Sequence, residues 1–159
     1  MKLHIEIDSA RAQQAFERAP RVMNKHLGLA LDRAAEEVAR EARQAAPKAF
    51  STLAQSIRAE RDGELARIVA PGVNYARPVE EGTKPGKMPP REALLPWLKQ
   101  KTGATGRELR NRSFLLARYI QRHGTKAHPY MEPTVAKMRP RVLALLIQGR
   151  DRGVQEILG

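Results

Sequence analysis

The spacing of apolar residues changes several times along the chain, and each change marks an element. In "KLHIEID" Leu3, Ile5 and Ile7 alternate with polar residues, which predicts a short half-buried strand. Asp8 or Ser9 then stands where a helix cap belongs. Ala10–Ala19 reads as helical up to Pro20, a residue suited to the first turn of a following helix. In that next helix Leu27, Leu31, Ala34, Ala35, Val38 and Ala42 recur at three and four residues and form one stripe. Arg33 with Glu37, and Glu36 with Arg40, have the four-residue spacing of ion pairs on its wet side. Pro47 disfavours helical geometry in the residue before it, so the helix should stop near Ala46.

The next stretch changes character. "LAQSIRAERDGELARIVAPG" predicts a hairpin with strands near residues 53–61 and 64–70 and its turn at Asp62-Gly63. A loop-rich connector, "VNYARPVEEGTKPGKMPP", follows. Leu94, Leu95, Trp97 and Leu98 mark a short helix that starts at Arg91 or at the turn around Pro96. "KTGATG" reads as a flexible break. From Glu108 to Arg122 the helical period returns, with Leu109, Leu116 and Ile120 inward and the arginines outward. A last helix near Pro133 carries Met131, Val135, Met138, Val142, Leu145 and Leu146 at helical spacing, and Pro140 should kink or divide it. The order β-α-α-β-β-loop-α-α-loop-α predicts an α+β fold. Its small antiparallel sheet would be packed by a long N-terminal helix and a C-terminal helix, with an inserted helical pair.

At 159 residues the chain is long enough for one domain with a real core, here 1–159, with 84–122 as a helical insertion. Apolar residues make up 42% and charged residues 29%, a globular composition. The 4% aromatic share favours helix packing over a sandwich. The absence of cysteine excludes disulfides and thiolate metal sites. The longest aliphatic run, Val142–Ile147, is far short of a membrane span, and the N-terminus lacks a signal peptide's apolar block; cytoplasmic synthesis without a membrane partner is expected. The net charge of +12 is unevenly placed: residues 1–79 hold 13 basic against 10 acidic side chains, and residues 80–159 hold 16 against 7. The second half is thus suited to nucleic acid or to an acidic protein surface.

Candidate chemistry is sparse. Gly-Thr-Lys occurs twice, at Gly82–Lys84 and Gly124–Lys126, without the Gly-Lys-Ser/Thr order of a phosphate-binding loop. Glu80 and Glu81 are sequence neighbours, a poor geometry for an acid–base pair; a solvated or capping role fits better. His123, His128 and Glu132 match no zinc spacing, and Ser9, Ser51, Ser56 and Ser113 carry no nucleophile motif. No residue set supports an enzyme, and neither a metal nor a cofactor is expected. Arg107, Arg110, Arg112, Arg118 and Arg122 form the most credible anionic-partner face, but no sequence-reading signature surrounds it; Phe114 and Tyr119 are expected in the core.

Three short motifs in order carry a resemblance. "LAQSI" at Leu53–Ile57, "YARPVEEGT" at Tyr75–Thr83 and "HPYMEP" at His128–Pro133 resemble the tail-component family of tailed bacteriophages, the lambdoid gene-product-ten-like proteins. Tyr130 stands where that family usually has phenylalanine, and Glu81 where it often has an aromatic residue. The resemblance implies a non-catalytic structural protein of the virion neck or upper tail, assembled in the host cytoplasm. It would complete the tail and join it to the head as a homo-oligomeric ring, here of six copies. The implied partners are other copies, other neck and tail proteins, and genomic DNA in the channel, contacted non-specifically. Interface residues would be Tyr75, Glu80, Glu81, Gly82, Thr83 and Lys84 on the first loop, and Gly124, Thr125 and Lys126 on the second. The alternatives are a tail-terminator ring that stops tube growth and a small cytoplasmic nucleic-acid-binding protein.

Overall fold

The computed structural model describes residues 9–47 and 51–159, so the strand expected at Leu3–Ile7 lies outside the described residues. The elements run α1 (Ser9–Ala45), α2 (Ser51–Ser56), β1 (Ile57–Gly63), β2 (Ala66–Pro71), α3 (Ala76–Glu81), α4 (Arg91–Thr102), α5 (Gly106–His123) and α6 (Met131–Leu158). β1 and β2 make a two-stranded antiparallel hairpin, and long helices open and close the described chain. The fold class is α+β, as the pattern predicts.

Among the described residues, three prolines sit beyond the first turn of a helix instead of dividing it. Pro20 lies within α1, Pro96 within α4 and Pro140 within α6, and all three are exposed. A proline removes one helical hydrogen bond, but on the wet side water can take the freed carbonyl, so the helix continues. The break expected at Pro20 is therefore absent. The hairpin also differs from its expected form. Its turn is at Glu64-Leu65, and Asp62 and Gly63 belong to β1. Residues 53–56, expected as strand, are helical. Leu53 and Ile57, four apart, are both fully buried, and the Ser56 hydroxyl donates to the Leu53 carbonyl at 2.8 Å. Helical spacing of two buried anchors prevails over the alternating pattern.

The fold divides into two compact units. One comprises the described residues up to Glu37, together with Ala59–Ile68 and Met138–Gly159. Within it α1 and α6 run antiparallel. Gly149 packs against Ala30 and the His26 carbonyl, and Gly153 against Met23. Polar rungs flank this seam: Glu37 accepts from Arg141 at 2.7 Å, Glu156 faces Lys25 at 3.0 Å and His26 at 2.6 Å, and Arg18 donates to the Ile157 carbonyl at 2.9 Å. Arg33 also pairs with Glu37, at 3.1 Å, as its spacing predicts. The inner side of α6 presents Val142, Leu145 and Leu146, of which Leu145 is 2% exposed.

The hairpin end in this unit is fixed by a nearly buried guanidinium. The Arg67 side chain is 6% exposed and donates to Asp32 on α1 and to the carbonyls of Gly63, Glu64 and Ala66. These bonds explain the turn's position, because they gather the backbone around Arg67 and not around Asp62. Arg61 completes the site with a 2.5 Å bond to the second Asp32 oxygen. Hydrogen bonds from Arg67 and then Arg61 hold the Asp32 carboxyl at about 2, below its ordinary 3.8. Asp32→Asn is expected to cost about 2 kcal/mol, less than a fully buried pair would, because the carboxylate keeps partial solvent access. A group with a lowered folded value stabilises above its unfolded value. Denaturant titrations from pH 6 to 2 should therefore show this contribution intact above about pH 4 and lost toward pH 2 in the parent, but not in the variant.

The second unit comprises Val38–Arg58 and Val69–Lys137. Ala39, Ala42 and Ala46 are buried with Leu53 and Ile57, and Arg43 donates to the Ile57 carbonyl at 2.9 Å. Ala76, Val79, Leu98, Ala117 and Tyr130 supply further buried apolar surface. α4 packs on α5, and Gly103 ends α4 by donating its amide to the Lys99 carbonyl at 2.9 Å.

Candidate interaction site

The two Gly-Thr-Lys kernels, 42 positions apart, meet. Thr83 and Thr125 form an antiparallel bridge: the Thr83 amide donates to the Thr125 carbonyl at 3.1 Å, and the Thr125 amide returns the bond at 3.0 Å. Their hydroxyls share a further bond of 2.9 Å. The glycines make the approach feasible. Gly82 and Gly124 have φ of 71° and 72° with near-extended ψ, a combination essentially confined to glycine. A Cβ on Gly124 would lie 2.0 Å from the Thr83 carbonyl oxygen, and one on Gly82 would lie 2.6 Å from that of Thr125. Each kernel is thus shaped to receive the other. The lysines that follow, Lys84 and Lys126, are exposed.

Neighbouring bonds extend the clip. The Gly86 amide donates to the Gln121 carbonyl at 2.7 Å, and the His128 amide to the Val79 carbonyl at 2.8 Å. Beside them Glu80 caps a helix that starts fifty residues later. Its carboxylate accepts from the backbone amides of Tyr130 at 2.8 Å, Met131 at 3.0 Å and Glu132 at 3.0 Å. The first turn of any helix has amides without helical partners, and a carboxylate suits both those donors and the positive end of the helix dipole. Burial pushes the Glu80 carboxyl up, but hydrogen bonds from Glu132, Tyr130 and Met131 outweigh it and hold the group below its ordinary value. Tyr130 is 1% exposed; burial, and next the Glu80 charge, push its phenol up.

The remaining residues of the first loop take other positions. Tyr75 precedes α3 at its N-cap position and is half-buried, while Glu81 is exposed and paired with Arg77 at 3.0 Å. Of the nine loop residues nominated from sequence, the structure brings together Glu80, Gly82, Thr83, Gly124 and Thr125 and uses them internally. Lys84, Lys126 and Glu81 point outward. The kernel pairing was not foreseen; a capping role is among the expectations for Glu80, but not that the capped helix is α6, fifty residues on. A signal for the cap does exist: α6 starts after His-Pro-Tyr, with no Ser, Thr, Asp or Asn at its cap position, so a donor-hungry helix end needs an acceptor from elsewhere.

α5 presents the arginine face. Arg107, Arg110, Arg112, Arg118 and Arg122 are all exposed, and Arg112 pairs with Glu108 at 2.6 Å. The apolar residues differ from expectation. Ser113 and Ala117 are buried, with Leu109, Leu116 and Ile120 half-buried, whereas Phe114 and Tyr119 lie on the surface. Small residues on the inner face let α5 pack closely, and the aromatics are left outside. Arg91 sits over the Phe114 ring at 5.9 Å, and Tyr119 stacks on His123 with centroids 4.3 Å apart. Leu115, Tyr119, Arg118, Arg122 and His123 line a shallow hollow. Val135, expected inward on α6, is also exposed, and Thr134 takes the buried place and donates to the Tyr130 carbonyl at 2.6 Å.

Among the described residues no group of three or more His, Asp or Glu side chains could hold a metal ion, and no helix is long and apolar enough to cross a membrane. Nothing among curated proteins or solved structures matches the chain. Residues 10–82 match the family model described as "Bacteriophage HK97-gp10, putative tail-component". That stretch includes α1, the Leu53–Ile57 motif, the hairpin and the first loop as far as Gly82, while His128–Pro133 lies beyond it. Over this span, a little under half of the chain, the protein is similar to phage tail components, and the resemblance drawn from Leu53–Ile57, and from Tyr75–Thr83 as far as Gly82, holds there.

Proposed function

We propose that the protein is a structural subunit of the phage neck or upper tail, which completes the tail and joins it to the head by assembling into a homo-oligomeric ring of six copies. The observation that carries this reading is the tail-component match over residues 10–82. The surface supports it: Leu115 is 64% exposed and Tyr119 58%, flanked by Arg118 and Arg122. Tyrosine and arginine grouped this way suit the centre of a protein interface, because they bury large areas and engage carboxylates, and Leu115 adds apolar area beside them. Apolar anchors amid the arginines favour an acidic protein partner over bare phosphate, so contact with DNA in the channel is the weaker use of this face. Residues 84–122 serve as an insertion held at its base by the kernel bridge, with Lys84 and Lys126 turned to a neighbouring subunit. The chain acts in the virion by assembly and not by catalysis.

Negative-stain microscopy of particles made without the protein tests the reading. Tailless heads beside free tails are expected. Overlong tails would assign it to termination instead, and normal infectious particles would overturn both. Complementation with Leu115→Glu/Tyr119→Glu should reproduce the deletion while the purified variant keeps its helical circular dichroism; full complementation would remove this face from the interface.

A further inference from the structure

The sheet is short of strands. Among the described residues it has two, so β1 and β2 are both edges, and an isolated hairpin is marginal in water. The two edges differ. β1 carries Arg58, Glu60, Arg61 and Asp62, charges of the kind that keep an edge from pairing. β2 carries a single charge, Arg67, and its guanidinium is turned to Asp32 and the carbonyls of the turn. Pro71 blocks only the last position of that strand. Ala66, Ile68 and Ala70 are exposed, Ile68 at 47%. β2 is therefore the edge left open to strand addition.

The chain also supplies a strand. Leu3, Ile5 and Ile7 alternate with polar residues just ahead of α1, a pattern that asks for a sheet to join. Its own hairpin is out of reach. The hairpin turn meets α1 at Asn24, which donates to Glu64 at 3.0 Å, and the strands run from there past Gly28 to Asp32. α1 is helical from Ser9, so Asn24 lies fifteen residues, about 22 Å, along the helix from its start. Fully extended, Ile7 reaches about 7 Å back from Ser9 and Leu3 about 20 Å. Leu3 would stop level with the turn, and Ile5 and Ile7 would fall short of it.

We propose that Leu3–Ile7 of one copy adds as a third strand to the β2 edge of a second copy. Strand addition is made of main-chain hydrogen bonds, which form between two chains of +12 without opposite charges having to meet. The strand given and the edge received are different surfaces, so the contact is heterologous. It links copies in series and closes into a ring where the rotation allows. The pairing rests on α1 and the hairpin and stands independently of the tail match.

The chain has no cysteine, so His4→Cys carries a single benzophenone-maleimide on the polar side of the strand. This labelled chain is mixed in urea with an excess of unlabelled heavy-nitrogen chain, refolded and irradiated. Mass spectrometry should find the label joined to residues 66–70 of the heavy chain. Adding Ile5→Pro, which removes a ladder amide, should abolish that product. Ile5→Pro alone should weaken association at least about tenfold in sedimentation velocity, with helical circular dichroism unchanged. A label joined chiefly to residues 66–70 of light chains would show pairing within one copy and overturn the proposal. A label joined elsewhere, or an Ile5→Pro variant that associates as the parent does, would overturn it too.

Discussion

Replacing Gly124 with alanine is expected to destabilise the protein by at least ~3 kcal/mol, the largest effect of any single methyl addition in the described chain. Two terms act together. The backbone at φ 72° and ψ −166° is one that L-residues with a side chain rarely adopt, and the new Cβ would lie 2.0 Å from the Thr83 carbonyl oxygen. Neither can relax without separating the two kernels, because the clashing atom is itself the acceptor for the Thr125 amide. Urea denaturation would measure the loss. Hydrogen exchange would locate it, with the Thr83 and Thr125 amides losing protection before those of the α1–α6 seam. Gly82→Ala should follow the same course more mildly, since its nearest clash is 2.6 Å. A Gly124→Ala variant as stable as the parent would mean that the kernels are not bridged in solution.

Glu80→Ala is expected to cost about 3 kcal/mol, and Glu80→Gln about half that. The carboxylate satisfies three amides at the start of α6, and an alanine would leave donors without their acceptor at a partly buried helix end. Glutamine keeps one oxygen but loses the charge that favours the helix N-terminus. The pH dependence follows from the sign of the shift. The folded carboxyl is held below its ordinary 4.5, so its stabilisation is complete above that value and is lost as pH falls through the lower folded value. Thermal unfolding of parent and Glu80→Gln should therefore converge in acid and diverge toward neutrality. A constant gap across that range would show that charge plays no part in the cap.

Much of the local structure was legible because it depends on short-range spacing. The α1 stripe is an example: Ala34, Ala35 and Ala42 are buried as the period predicts, with Leu27, Leu31 and Val38 half-buried beside them. The end of α1 at Ala45, just before Pro47, follows from the same local rules. Where reading failed, a distant partner decided the outcome. Asp62-Gly63 is a sound turn signal, but Arg67 and Asp32 place the turn two residues on, through a contact spanning 35 positions. Pro20, Pro96 and Pro140 are tolerated on wet faces, where water can take the orphaned carbonyls, and that exposure could not be known in advance. The candidate site shows the same division. Repetition of Gly-Thr-Lys was visible at once, whereas mutual pairing across 42 residues was not, since identity of two segments says nothing of their contact. On α5 the arginines were placed correctly. The aromatics were expected in the core, whereas Ser113 and Ala117 allow the close approach that leaves Phe114 and Tyr119 outside.

The bridge between Thr83 and Thr125 also governs how the chain can change in length. It holds the two ends of a forty-residue excursion one hydrogen-bonded pair apart, whatever lies between them. Closing a longer loop costs only logarithmically more, about 0.6 kcal/mol for each doubling, which is small beside a paired backbone with its own side-chain bond. Additions or deletions within α4 and α5 therefore leave the spacing of Val79 and His128 unchanged, and with it the start of α6. The clip separates a fixed geometry from a replaceable payload: the segment between the kernels can be rewritten for a new contact while the rest of the polypeptide is spared any compensating change.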